Sequence, residues 1–311
     1  MKRNTYQLDL TSLFDATGID KTGTVTITEQ THDYDPLYPK NHWLYPALLG
    51  FKKYQQKYGR VSSYASIGAG SAIDAIGANT IFSLSRIAVV DIHPKIVPVA
   101  EMNVENNVGS ETKILAYNGD LCQPLIIHQL KFDIIYANIP NIPSDQPRFN
   151  DCDSASYYLK RNDVNCPKIF DDYLLTLQYI FLNEAKKATE NNGAVIDAIG
   201  GRLPYEILQS LFTSNGYKFE ELVSVFKIQT EPNYVLKGYA EAEENNHVEF
   251  DFYNYEEAQN LWLKIEKLNL KGPELKEVLK PFRVNAKTSY TNYLINRKRA
   301  GHVVHILCGR I

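Results

Sequence analysis

From residue 61 onward, short apolar runs alternate with stretches of helical spacing, the pattern of a parallel sheet covered by helices on both faces. Residues 61–67 predict a first strand that ends at Gly68-Ala69-Gly70, and residues 71–84 predict the helix after it. Residues 86–92 repeat the unit: an apolar run closes on Asp91, Pro94 sits at a helix start, and helical spacing continues to about residue 106. Residues 112–117 and 132–138 predict two more strands, whose polar carboxyl ends face the ligand crevice of such a sheet. The stretch 139–166, rich in Pro, Asn, Asp and Ser, predicts a long functional loop. A helix over 170–189 is then stopped by Asn191-Asn192-Gly193. A fifth strand over 193–200 runs into Gly201 and Arg202, followed by a helix to about residue 214, an apolar run over 221–228 and a closing strand over 302–309. The fold class is α/β, a Rossmann-like sheet with helices on both faces.

Two regions lie outside that alternation. Residues 1–60 hold an aromatic, Pro-punctuated stretch at 33–43 and a helix over about 46–58, and they predict an N-terminal cap that closes over the site or, alternatively, meets a second copy. Residues 254–299 predict a polar helical insertion within a catalytic domain spanning 61–311.

Charge narrows the partners. A net charge of -3 offers no electrostatic footprint for a polyanion, so a small molecule is expected and nucleic acid is not. Cys122, Cys152, Cys166 and Cys308 form no CxxC pair and share no ligand spacing with histidine, so neither a metal nor a disulfide is expected. The N-terminus lacks the apolar core of a secretory leader, and no stretch approaches the roughly 20 apolar residues of a membrane span. A cytoplasmic protein without a membrane partner is the expectation.

A strand that ends in closely spaced glycines and opens a helix lets backbone N–H groups approach a ligand near the positive helix terminus. Gly68 and Gly70 meet that requirement, and Asp91 at the end of the next strand stands where a carboxylate accepts both hydroxyls of an adenosine ribose. Asn118-Gly119-Asp120 places an acceptor where an adenine amino group would lie. NAD and FAD would use the same turn, but Ile73 stands at the third glycine position of the dinucleotide fingerprint and no second nucleotide half follows. The segments SIGAGSA, VVDIHP and NGD resemble the class I methyltransferases over roughly residues 61–200. That resemblance implies S-adenosylmethionine as the cofactor, held by Ser66, Gly68, Gly70, Asp91, Gly119, Asp120 and Asn138. Two positions depart from the family: Ser66 replaces the acid that helps hold the amino-acid end of the cofactor, and Ala72 replaces a glycine.

At the reacting end, Asn138-Ile139-Pro140-Asn141 partly resembles the Asn-Pro-Pro-aromatic motif of amino-methyltransferases, in which the Asn aims a substrate nitrogen at the methyl carbon. Ile139 and Asn141 depart from that motif, which counts against a flat base or a glutamine amide. The segments IPNIPSD, AIGGRLPYEILQSLF, NGYKFEEL, KIQTE, HVEFDFY and HVVHILCG resemble the methyltransferase domain of methionine S-methyltransferases, and the chain is also similar to azetidine-2-carboxylate synthases. Arg202 is the candidate fork for a substrate carboxylate. Tyr173 is the leading candidate to face a sulfonium, with Tyr34, Tyr38 and Trp43 as others and His42 as a candidate base. The expected chemistry is methyl transfer to a small amino-acid-like amine or thioether, with Asn138, Tyr173 and Arg202 at the reacting centre. Intramolecular cyclisation of S-adenosylmethionine to azetidine-2-carboxylate is the alternative, favoured by Ser66 and Asn138. A cofactor-binding sensor without chemistry is a third reading, opposed by the polar Asn138 and Arg202.

Overall fold

The computed structural model describes residues 5–28, 31, 35–143, 157–158 and 165–311. An antiparallel pair, β1 (Tyr6–Asp9) and β2 (Thr24–Ile27), flanks α1 (Thr11–Thr17), and α2 (Leu44–Tyr58) follows. The parallel alternation then runs β3 (Ser63–Ile67), α3 (Ile73–Phe82), β4 (Arg86–Asp91), α4 (Val97–Glu105), β5 (Lys113–Asn118), α5 (Gln123–Ile127) and β6 (Phe132–Ala137). Two short strands, β7 (Ile142–Pro143) and β8 (Tyr157–Tyr158), pair with each other. Of the loop expected at 139–166, residues 144–156 and 159–164 lie outside the described residues; so do Tyr34 and Cys152.

The helix expected over 170–189 is divided into α6 (Lys168–Asp172) and α7 (Thr176–Ala188). Leu174, at φ 61°, turns the chain into the left-handed region, and Thr176 ties the new start to the Asp171 carboxylate at 2.9 Å. The helix then gives way to strand β9 (Thr189–Gly200) ahead of Asn191-Asn192-Gly193, not at it. Thr189 already pairs with Phe132, whereas Ala194 pairs with Ile134, so the Asn-Asn-Gly residues form an irregularity within the strand.

After β9 come α8 (Tyr205–Ser214), β10 (Lys218–Ile228) and α9 (Pro232–Asn246). The chain closes with β11 (Phe252–Asn254), α10 (Tyr255–Ile265), α11 (Gly272–Leu279), β12 (Arg283–Val284), α12 (Ala286–Asn296) and β13 (Ala300–Arg310). The helical insertion thus begins at α9, before the expected residue 254. Among the described residues no helix is long and apolar enough to cross a membrane.

The main sheet places β5, β4, β3, β6 and β9 side by side in parallel, and β13 adds to β9 in the opposite direction with β10 beyond it. This is the doubly wound order with a final antiparallel strand inserted before the last parallel one. All five residues of β3 are buried, as a strand covered on both faces requires. One face packs α3, α4 and the N-terminal elements; the other packs α5, α7 and α8. Within residues 1–60, α2 is a layer of the core. Phe51 sits edge-on to Tyr64 and Tyr136 with ring centroids at 5.7 and 5.1 Å, a burial that stabilises by roughly 2–3 kcal/mol. The α2–α3 contact depends on Gly77, where a methyl group would collide with Leu48.

Candidate active site

The carboxyl ends of β3, β4 and β5 meet in one hydrogen-bonded unit. Gly68 and Gly70 adopt φ 69° and 54°, which glycine reaches without a Cβ penalty, and the N–H groups of Gly68 and Ala69 donate to the Val90 carbonyl at 2.9 and 3.1 Å. Asp91 Oδ2 accepts the Gly70 N–H at 3.1 Å and Oδ1 accepts the His93 N–H at 2.9 Å. Burial pushes the Asp91 carboxyl up, and those two N–H groups oppose the shift. The Gly119 N–H donates to the Asp91 carbonyl at 3.0 Å, which fixes the Asn118-Gly119-Asp120 turn beside it; Asp120 is half-buried.

This turn fits a nucleoside ligand. A Cβ built on Gly70 would meet no atom within 4 Å, so open space stands over the turn, and each Asp91 oxygen keeps a lone pair beyond its one backbone bond. A Cβ on Gly68 would lie 3.5 Å from Ile139, which brings the end of β6, and with it Asn138, against the same turn.

Ser66, buried in β3, faces a carboxylate after all. Asp74, in the first turn of α3, accepts the Tyr64 hydroxyl at 2.7 Å. Burial raises its carboxyl, against the hydroxyls of Tyr64 and Ser66. A carboxylate from the helix thus stands beside the serine at the acid's position, a neighbour that the spacing of the glycine motif did not reveal.

The second half of the crevice lies beyond β6. Asn138 is half-buried; the Ile139 carbonyl accepts Gln178 Nε2 at 3.2 Å, and the Asn141 carbonyl accepts the Tyr239 hydroxyl at 2.7 Å. Arg202, two residues past β9, is wholly buried. Its Nε and Nη2 donate to Gln229 Oε1 at 3.0 and 2.6 Å, and Nη2 lies 3.0 Å from His302 Nε2. The rings of Tyr239, Trp43 and Phe252 surround the guanidinium with centroids 5.2, 5.8 and 5.9 Å from Cζ. Gly200 makes room for it, since a methyl group there would collide with Nη1.

Tyr173 stands further off, packed edge-on against Phe250 at 5.7 Å, and Phe250 in turn packs on Tyr239 at 4.7 Å. His42 accepts the Leu44 N–H on Nδ1 at 3.2 Å at the start of α2, and Tyr38 is exposed. Lys227, His302, Tyr239, Asp74 and Asp197 are additions that sequence reasoning did not single out. Lys227 and His302 carried no signal of their own, since β10 also holds Lys218, Glu220, Glu221 and Ser224 and β13 also holds His305 and Arg310. Asp197 is fully buried in β9, neither carboxylate oxygen has a partner among the described residues, and burial raises its carboxyl well above the usual range. A separate cleft of about 330 Å³ opens along the outer edge of β10, walled by Tyr45, Leu49, Val225 and Trp262; none of the residues above lines it.

Residues 49–142 match the family model described as ribosomal protein L11 methyltransferase (PrmA). No curated protein matches the sequence. Among solved structures, the chain is similar to a precorrin-6y C5,15-methyltransferase of Geobacter metallireducens GS-15, with 11% identity, a TM-score of 0.41, and 86% of this chain and 88% of that one covered. It is similar to a ribosomal protein L11 methylase of Lactobacillus delbrueckii subsp. bulgaricus, with 16% identity, a TM-score of 0.39 and coverage of 65% and 88%. A 16S rRNA methyltransferase of T. Thermophilus, in complex with AdoMet and guanosine, is similar at 17% identity and a TM-score of 0.43, over 70% of this chain and 47% of that one.

Proposed function

We propose, for a chain of the class I methyltransferase superfamily, that it binds S-adenosylmethionine at the glycine turn and transfers the methyl group to a small amino-acid-like amine or thioether. The observation that carries this reading is the joined unit of Gly70, Asp91 and Gly119 with Ile139 pressed against Gly68. In it Asp91 takes the ribose hydroxyls, Asp120 takes the adenine amino group, and the open space over Gly70 admits the amino-acid end. When bound, the cofactor supplies an electrophilic methyl carbon on a positively charged sulfur.

The chain's own groups then orient the acceptor. A thioether has no proton to lose, so alignment and exclusion of water suffice; an amine must be neutral, and Asn138 offers an acceptor for its N–H. Arg202 takes a substrate carboxylate, while Tyr173 contributes from behind the Tyr239 and Phe250 rings. Of the cap proposed over residues 1–60, Trp43 is the part that reaches Arg202, and it shields that end of the site from water. A net charge of -3 supports a small-molecule acceptor over nucleic acid.

Cyclisation of S-adenosylmethionine is the rival outcome, and Asp74 beside Ser66 weakens its ground because a carboxylate stands there after all. Product analysis separates the two. With S-adenosylmethionine alone the protein should turn over little, and S-adenosylhomocysteine should appear when an acceptor such as methionine is added. Methylthioadenosine formed with a four-membered cyclic amino acid, and lost in Asn138→Ala, would install the rival. Intact cofactor throughout, with every candidate acceptor, would favour the sensor.

A further inference from the structure

We propose that Arg202, Lys227 and His302 form a receiving site for the α-carboxylate of an amino acid, seated beneath Trp43 at the carboxyl ends of β9 and β10. The inference rests on the functional reading above and deepens it by naming what the site recognises. Lys227 and His302 face each other in the β10–β13 register, and Arg202 reaches them from the end of β9 through its contact with His302. All three are buried, at 0, 3 and 1% exposure for Arg202, Lys227 and His302.

Their partners are neutral. Arg202 is held by the Gln229 amide oxygen, the His302 ring and the Tyr239 phenol, and neither its Nη1 nor His302 Nδ1 has a hydrogen-bond partner among the described residues. Lys227 Nζ lies 4.6 Å from the Trp43 ring centroid. The carboxylates nearby are engaged elsewhere: Glu221 with His305 and Ser224, Asp251 with Lys276 and Arg283, Glu243 with the N–H groups of Phe250, Ala286 and Lys287. Buried cations without a counter-ion are expensive, and groups that can shed a proton do so. Burial and the neighbouring Arg202 push Lys227 down to about 7, and burial, Arg202, Lys227 and His305 push His302 well below its ordinary value. Arg202 has no such escape. The result is a dry, positive site in which one guanidinium nitrogen, Nη1, has no partner among the described residues, a donor that a carboxylate oxygen satisfies. Tyr239 links the recess to the reacting end, since its ring lies against Arg202 and its hydroxyl holds Asn141, three residues past Asn138.

The carboxylate has two possible sources, the amino-acid end of the cofactor or the acceptor, and both act on the same groups. A carboxylate entering beside Lys227 draws a proton onto it, so binding at pH 8 takes up about one proton. The charged and titratable groups facing Lys227 and His302 are Arg202, each other, and His305 behind His302.

Calorimetry of the full chain at pH 8, in two buffers of different ionisation enthalpy, counts that proton. The ligands are S-adenosylhomocysteine, methylthioadenosine, which is the same nucleoside without a carboxylate, and L-methionine both alone and after saturation with S-adenosylhomocysteine. Uptake with S-adenosylhomocysteine assigns the cofactor's carboxylate to the recess; uptake only with methionine assigns the acceptor's. Methylthioadenosine should take up none. Lys227→Met, which replaces a buried cation by an apolar chain of similar length, should abolish the uptake and weaken the carboxylate ligand about tenfold or more, while methylthioadenosine binds as before. The proposal is overturned if every carboxylate ligand binds without proton uptake, or if Lys227→Met changes neither uptake nor affinity. If the nucleosides fail to bind but methionine alone binds with uptake, the cofactor reading falls and the recess stands; if no ligand binds, both fall.

Discussion

The hydroxyl of Tyr239 in α9 donates to the carbonyl of Asn141 at 2.7 Å, across 98 residues of chain. Through this bond a helix from the polar insertion holds the segment after β6 in place. Tyr239→Phe keeps the ring packing on Phe250 and Phe252 but leaves the Asn141 carbonyl without its donor, which costs about 1–3 kcal/mol. Urea unfolding measures the difference. A loss below about 0.5 kcal/mol would mean that water replaces the hydroxyl.

Gly70→Ala separates strain from ligand space. The left-handed backbone at φ 54° costs an alanine roughly 1–2 kcal/mol of stability, with no clash because nothing lies within 4 Å of the new methyl group. If a ligand occupies the space over the turn, affinity for S-adenosylhomocysteine should drop about tenfold or more. Unchanged affinity would place the ligand elsewhere.

Asp251 makes stability depend on acid. Burial works to raise its carboxyl, but Lys276 at 2.7 Å and Arg283 outweigh it and hold the group below the ordinary range. A carboxyl lower in the folded than in the unfolded chain contributes stability that is present above its unfolded value near 4, and that is lost as pH falls through its folded value. Asp251→Asn should therefore be less stable than the wild type at pH 7 and show a flatter decline below about pH 4. Thermal denaturation over pH 2–7 tests this, and an equally steep decline in the variant would assign the acid sensitivity to other groups.

The parallel half was legible because its signals are local. Each of β3, β4, β5 and β6 is an apolar run that ends at a glycine or a polar residue, and Gly68, Gly70 and Asp91 meet as their spacing predicts. What failed to show were relationships between distant segments. Asp74 reads as an ordinary first-turn acid until the fold turns it towards Tyr64 and Ser66. Lys227 and His302 stand 75 residues apart and acquire meaning from β10–β13 pairing, which no local period encodes. Residues 44–58 fall within the expected cap by position in the chain, yet Phe51 packs into the sheet, a tertiary contact outside the reach of the sequence pattern. The break at Leu174 is likewise invisible, because a leucine carries no signature of left-handed backbone.

The most direct test of the account is calorimetric titration of the wild type and of Asp91→Ala with S-adenosylhomocysteine and with NAD. Asp91 is asked to hold two hydroxyls while it steadies the Gly70 N–H, and hydrogen bonds to a charged group are worth about 1.5–3 kcal/mol, a tenfold to hundredfold change in affinity. The account predicts that the wild type binds S-adenosylhomocysteine in preference to NAD, and that Asp91→Ala loses about that much affinity while its near-ultraviolet circular dichroism stays that of the wild type. A wild type that binds no S-adenosylhomocysteine or prefers NAD, or an Asp91→Ala variant that binds it equally well, would contradict it.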